Sequence, residues 1–148
     1  MDDALEPPSG VLEGQRHLFP LRVYYEDTDL SGIVYYANYL KFCERARSDL
    51  LRLLEIDQRA AFEAGEGYYA VAEANIRYLA PAKLDDSLLV QTECVELRPA
   101  SVRLLQLVMR EKEILVEVTV RVGFIAPSGR PRRQPDPWRE AFQNLFGS

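Results

Sequence analysis

The chain has 148 residues, 47% of them hydrophobic and 28% charged, with a formal net charge of −5. That length fits one domain burying about two-thirds of its unfolded surface, and the composition lies far from the low-hydrophobicity signature of disorder. The acidic balance argues against nucleic acid as the main partner, because polyanions usually demand a basic face, but it leaves room for a local basic site for a phosphate.

Residues 1–16 combine acids, Pro7, Pro8 and two glycines without periodicity, so a mobile N-terminal tail is expected there, followed by a single domain over 17–148. The N-terminus has neither a basic n-region nor an apolar h-region, and no apolar run reaches membrane-spanning length. The chain therefore reads as soluble and cytoplasmic. Cys43 and Cys94 sit far apart within apolar patterns, which suggests core thiols rather than a disulfide framework or a zinc cluster.

The mixture of Leu, Phe, Val and Tyr from Leu18 to Tyr25 predicts a strand, ended by the turn chemistry of Asp27 to Gly32. Tyr39, Phe42, Cys43, Ala46, Leu50, Leu53 and Leu54 then share one helical face, predicting an amphipathic helix from Asn38 to Leu54 with Asn38 as a candidate N-cap. A shorter helix fits Gln58 to Ala64, ending at Gly65. Ile114, Val116, Val118, Val120, Val122 and Phe124 alternate with mostly polar residues, and less regular strand runs cover Tyr69 to Leu79, Leu88 to Leu97 and Val102 to Arg110. Their connections look too short for parallel crossovers, so the class is α+β, with an antiparallel sheet and a long helix covering one face. A short terminal helix is expected over Trp138 to Phe146.

The acidic run DTDLSG lies between the first strand and the long helix. Asp27, Asp29, Ser31 and Gly32 match four positions of an EF-hand loop, yet its last position is Asn38 instead of a bidentate Glu and the preceding flank is strand-like. A phosphoryl-transfer Asp-x-Asp site would need repeated β-α units. The remaining reading is metal-free acyl transfer, with Asp29 as base or nucleophile and a helix-end N–H polarising a carbonyl. A simpler role for both acids is turn formation.

The run YYEDTDLSGIVYYANYLKFCERAR, with IRYLAPAKLDD over Ile76 to Asp86 and GRPRRQP over Gly129 to Pro135, resembles hotdog-fold thioesterases of the 4-hydroxybenzoyl-CoA thioesterase group. It is especially similar to the YbgC-like branch of acyl-CoA thioesterases associated with the Tol–Pal system. The resemblance implies a hotdog fold, an antiparallel five- or six-stranded sheet wrapped around the long central helix, and an acyl-CoA substrate without cofactor or metal. It also implies a homodimer or homotetramer. Asp29 would be the catalytic carboxylate and Asp27 structural, the backbone N–H of Tyr36 would polarise the thioester carbonyl, and Glu44 would face substrate or hold the site's geometry. The YbgC-like branch usually carries His where this chain has Tyr36.

Gly32 is most simply a turn glycine with access to positive φ, which would also let backbone approach a thioester. Arg130, Arg132 and Arg133 suit a CoA phosphate, or else form a solvated turn. Tyr24, Tyr25, Tyr35, Tyr36 and Tyr39 suit a pocket wall or a subunit interface. Cys43 belongs to the apolar stripe and is expected in the core. The sole histidine, His17, lies outside the motif, leaving a carboxylate as the candidate catalytic group. The rival reading from another class is a non-catalytic hotdog module that binds acyl chains or proteins linked to the Tol–Pal system.

Overall fold

A computed structural model describes residues 5–147. In chain order the strands are β1 (Val11–Glu13), β2 (Arg16–Arg22), β3 (Tyr68–Tyr78), β4 (Ser87–Leu97), β5 (Ser101–Arg110) and β6 (Glu113–Ile125). The helices are α1 (Asn38–Leu53), α2 (Gln58–Glu63) and α3 (Asp136–Phe146). All strand pairs are antiparallel in one six-stranded sheet of order β1-β2-β4-β5-β6-β3, which leaves β3 as an edge.

The α1 stripe explains the core. Tyr39, Phe42, Cys43, Ala46 and Leu50 are buried and face the inward residues Val90, Leu104, Val108, Val116, Val118 and Val120 of the sheet. The helix packs mainly across β2, β4 and β5 and meets β3 at its Tyr78 end, where the Tyr39 and Tyr78 rings have centroids 5.9 Å apart. The inner face of β3 is left largely uncovered: Val71 is 50% exposed and Tyr78 47% exposed although both pair with buried residues of β6. This is the hotdog arrangement, a curved sheet around one central helix.

Three expectations need correction. The tail over 1–16 is ordered from Ser9 onward, because Ser9 Oγ and Gly10 N–H donate to the buried carboxylate of Asp49 and Val11–Glu13 pairs with β2. A Cβ on Gly10 would overlap the Leu18 carbonyl, so the approach of this segment depends on the missing side chain. Residues 1–4 of that tail lie outside the described residues. The first strand ends at Arg22, not Tyr25, since Tyr25–Asp27 forms a 3₁₀ turn that Asp27 closes by accepting the Tyr24 N–H. In β6 the alternation slips at Leu115: the register shift against β5 turns Leu115 fully inward and leaves Ile114 36% exposed.

The other boundaries fall within two residues of the sequence reading. Asp57 caps α2 by accepting the Ala60 N–H, and Gly65 follows it with φ +74°. The terminal helix starts two residues earlier than expected and buries Phe142 against the sheet.

Candidate functional site

After the 3₁₀ turn the chain makes a tight loop. Thr28 pairs with Val34, Asp29 N–H donates to the Ile33 carbonyl at 2.9 Å, and Gly32 N–H donates to the Asp29 carbonyl at 3.1 Å. Gly32 has φ +82° and a Cβ there would meet nothing within 4 Å, so the loop needs glycine for its backbone conformation and not for space. Leu30, Ser31 and Gly32 are all exposed, so that stretch of the loop faces solvent.

The two acids of the loop have separate fates. Asp27 is buried; its carboxylate accepts Tyr24 N–H at 2.8 Å, and its carbonyl accepts both Tyr35 N–H and the Asn38 side-chain amide at 2.9 Å. Asp27 therefore ties the strand end to the start of α1. Asn38 contributes through this bond and not as an N-cap, a position Ala37 occupies. Asp29 instead projects into solvent, with Oδ1 accepting Ser31 N–H at 2.8 Å and the Ser31 hydroxyl at 2.6 Å. The Ser31 hydroxyl, with the Ser31 amide next, draws the Asp29 pKa below its ordinary value of 3.8, so the group is ionised at neutral pH. Among the described residues Oδ2 has no partner. The carboxylates diverge, which disposes of a shared calcium loop.

Helix α1 begins just beyond. Asn38 N–H donates to Tyr35 O and Leu40 N–H to Ala37 O, whereas the Tyr36 N–H finds no acceptor among the described residues. An unpaired amide at a helix start is a site for negative charge. The Tyr36 carbonyl is fixed from behind by the Tyr78 hydroxyl at 3.2 Å, and the Tyr36 ring lies exposed between Tyr35 and Tyr78. The Tyr39 ring is buried, and its hydroxyl accepts Ala82 N–H at 3.0 Å. Val34 N–H adds a bond to Ala82 O at 2.9 Å. The segment Ile76 to Asp86 is thus the cradle of the acidic loop, which gives a physical reason for the two blocks to occur together. Tyr78 and Ala82 were not singled out from sequence; the tyrosine within IRYLAPAKL was the available signal.

The remaining candidates lie elsewhere. Glu44 is exposed on α1 about two helical turns past Tyr36, beside a separate cavity. Arg132 donates to the Glu66 carbonyl at 2.6 Å, Arg133 pairs with Asp136 at 3.4 Å, and Arg130 is exposed on the turn that follows β6. These arginines adjoin the Tyr68 end of β3, whereas Asp29 and Tyr36 adjoin its Tyr78 end. The 11 residues of that strand separate them by on the order of 30 Å. The buried group of GRPRRQP is Gln134, whose amide donates to Arg98 O at 2.8 Å and whose oxygen accepts the Tyr69 hydroxyl. Cys43 is fully buried, and desolvation pushes its thiol up to about 12, as expected for a core residue and not a nucleophile.

Residues 31–117, more than half the chain, match the Thioesterase superfamily. An acyl-CoA thioesterase named YbgC from Haemophilus influenzae is 41% identical over 128 residues, covering 86% of this chain and 94% of the relative. Among solved structures, a probable thioesterase from Bartonella henselae superposes with a TM-score of 0.75 at 35% identity, covering 82% of this chain and 98% of that one. A 1,4-dihydroxy-2-naphthoyl-CoA thioesterase from Synechocystis shares the fold, with a TM-score of 0.83 at 23% identity over 90% of this chain and 99% of that one. With the loop, the helix start and their cradle in this sheet, the chain belongs to the thioesterase superfamily, in its YbgC-like hotdog branch.

Proposed function

We propose that the protein hydrolyses an acyl-CoA thioester to a free acid and CoA. The observation that carries the proposal is the pairing, within one short loop and helix start, of an exposed ionised Asp29 with the unpaired N–H of Tyr36. The names of the curated relatives supply the substrate class. A CoA thioester substrate fits the cytoplasmic location expected from the sequence.

In this mechanism the thioester oxygen accepts the Tyr36 N–H, which takes up the negative charge as the carbonyl carbon becomes tetrahedral. A carboxylate held at low basicity by Ser31 is a weak proton acceptor, which favours direct attack by the free Oδ2 on the carbonyl carbon. The C–S bond then breaks and CoA leaves as thiolate, giving a mixed anhydride on Asp29. Water hydrolyses the anhydride, releasing the acid and restoring the carboxylate. A thiolate leaving group requires no strong general acid.

Two protomers complete the site in this reading. The unpaired edge of β3 and its bare inner face with Val71 and Tyr78 suit antiparallel pairing with a second copy. A two-fold axis across β3 sets the Tyr78 end of one strand beside the Tyr68 end of the other. The arginines of one protomer would then approach Asp29 of its partner, where Arg130, Arg132 and Arg133 bind the CoA phosphates. Glu44 borders the acyl side, and exposed backbone around Gly32 admits the thioester. A homotetramer would pair two such dimers.

Replacing Asp29 with Asn should leave folding unchanged and lower kcat for acyl-CoA hydrolysis by at least about a hundredfold. Free-thiol release, with circular dichroism as the folding control, measures both. Wild-type turnover by the folded variant would sink the mechanism, and saturable acyl-CoA binding without hydrolysis by either protein would establish the non-catalytic module instead.

A further inference from the structure

Strand β5 ends on a cation turned toward the core side of the sheet. Val102, Leu104, Gln106 and Val108 alternate inward, and Arg110 continues that set at the hairpin to β6, where it pairs with Glu113. The carbonyl of Leu115, at the register shift of β6, accepts the N–H groups of Leu79 at 2.8 Å and Ala80 at 3.1 Å. The loop that follows β3 is thereby drawn alongside Arg110.

The Arg110 guanidinium spans that loop. Nη1 donates to the Pro81 carbonyl at 3.3 Å and to Asp86 Oδ2 at 2.8 Å, so one nitrogen ties the start of the loop to its end. Nη2 donates to Glu113 Oε1 at 2.8 Å, and Glu113 is the more exposed of the two acidic partners. Asp86 Oδ2 also accepts the Lys83 N–H at 2.8 Å. Desolvation works to raise the Asp86 pKa, but the Lys83 amide and the Arg110 guanidinium outweigh it and hold the carboxyl below its ordinary 3.8. The pair is therefore charge-assisted at neutral pH.

Residues between those two anchors carry the acidic loop. Ala82 O accepts Val34 N–H at 2.9 Å, Lys83 forms a bridge with Ile33, and Leu84 N–H donates to Gly32 O at 3.4 Å. Ala82 N–H donates to the Tyr39 hydroxyl at 3.0 Å, so the same segment also meets α1 about one turn beyond Tyr36. Asp29 stands on the other arm of this hairpin, held by its N–H on Ile33 O at 2.9 Å and by the bridge between Thr28 and Val34. A displacement of 81–86 would consequently move the Asp29 carboxylate relative to the Tyr36 N–H, the two groups that must meet one carbonyl.

We propose that Arg110 is a positioning residue for thioester hydrolysis: by bridging Pro81 and Asp86 it fixes the segment that sets Asp29 against the Tyr36 N–H. It touches no reacting atom, and the inference rests on the thioesterase reading above. Misplacing reacting groups by on the order of 1 Å can cost about a hundredfold in rate, so loss of the bridge should lower kcat about tenfold with KM within about twofold of wild type.

Free-thiol release from butyryl-, palmitoyl- and benzoyl-CoA over a range of concentrations tests it, with circular dichroism as the folding control. Arg110→Gln should show the loss in kcat at nearly constant KM. Asp86→Asn keeps an acceptor for the Lys83 N–H but not the charge, and should also lose kcat; the double variant should be no slower than Arg110→Gln, because both substitutions break one bridge. Glu113→Gln removes an ion pair of the same length from the same guanidinium and should keep wild-type kcat and KM, which a merely stabilising role for Arg110 would not predict. Wild-type kcat in the folded variants of Arg110 and Asp86, an equal loss in Glu113→Gln, or a rise in KM in place of the fall in kcat would each overturn the proposal. If Arg110→Gln fails to fold, Asp86→Asn against Glu113→Gln decides it. A wild type inactive on all three substrates would overturn the thioesterase reading and this inference with it, whereas an active wild type with unaffected variants removes only the role of Arg110.

Discussion

Asp49 carries a charge into the apolar stripe of α1, three residues after Ala46 and one before Leu50, and all three are buried. Its carboxylate accepts the His17 Nε2–H at 2.7 Å, the Ser9 hydroxyl at 2.7 Å and the Gly10 N–H at 2.9 Å. Desolvation works to raise its pKa, but the hydrogen bonds from Ser9, His17 and Gly10 outweigh it, and the folded value lies below the ordinary 3.8. A depressed carboxylate stabilises the fold above its unfolded pKa, and that contribution disappears as pH falls through the lower folded value. Asp49→Ala should therefore cost about 3 kcal/mol at neutral pH, because it strands a buried histidine and two further donors. The difference from wild type should shrink as the pH drops below about 4. Urea denaturation of both proteins at pH 7 and pH 3 measures it; an equal deficit at both values would show that packing, not charge, holds this joint. Helical periodicity did not single out Asp49, and its partners lie 32 to 40 residues away in the chain.

At the scale of elements, legibility followed periodicity. Helix α1 and strands β4 to β6 were readable because long runs with one buried face leave a regular pattern; β3, which has no buried residue, was readable from its Tyr, Val and Ile content, and the ends of all five fall within two residues of those expected. Short or irregular pieces were not. Strand β1 has three exposed residues and no pattern, so only its pairing with β2 defines it, and the inward turn of Leu115 follows from a register shift that no single strand encodes. In the candidate site, Asp29, Gly32 and Tyr36 were legible through the motif, whereas the contacts from Tyr78 and Ala82 depend on folding a segment about forty residues away onto the loop. Strand β3 offers the sharpest element-level test. Ala74 is exposed on its bare inner face opposite Val120, so Ala74→Lys should change protomer stability by less than about 0.5 kcal/mol while placing an inward charge on the pairing edge. Sedimentation should find the wild type as a dimer or larger assembly and the variant shifted towards monomer. A monomeric wild type would remove the basis for a shared site.

For the whole molecule, the placement of the arginines at the far end of β3 from Asp29 separates two ways of building the active site. If one protomer serves alone, Arg130, Arg132 and Arg133 are surface groups with no part in catalysis. If two protomers pair antiparallel along β3, each site takes its carboxylate from one chain and its phosphate-binding arginines from the other. Replacing all three arginines with Ala should then raise KM for acyl-CoA about tenfold or more with little change in kcat, the signature of lost binding that does not distinguish ground state from transition state. Mixing this variant with Asp29→Asn decides where the arginines act. In a cross-chain site, a heterodimer has one position that combines both defects and one that is wholly intact, so activity with wild-type KM reappears on co-expression. In a single-chain site, where these arginines touch no substrate, the triple variant alone already keeps wild-type kcat and KM, and co-expression with Asp29→Asn restores nothing. Purifying the heterodimer through different tags on the two chains and assaying free-thiol release against substrate concentration distinguishes these outcomes, because only the cross-chain arrangement makes a functional site from two defective parents.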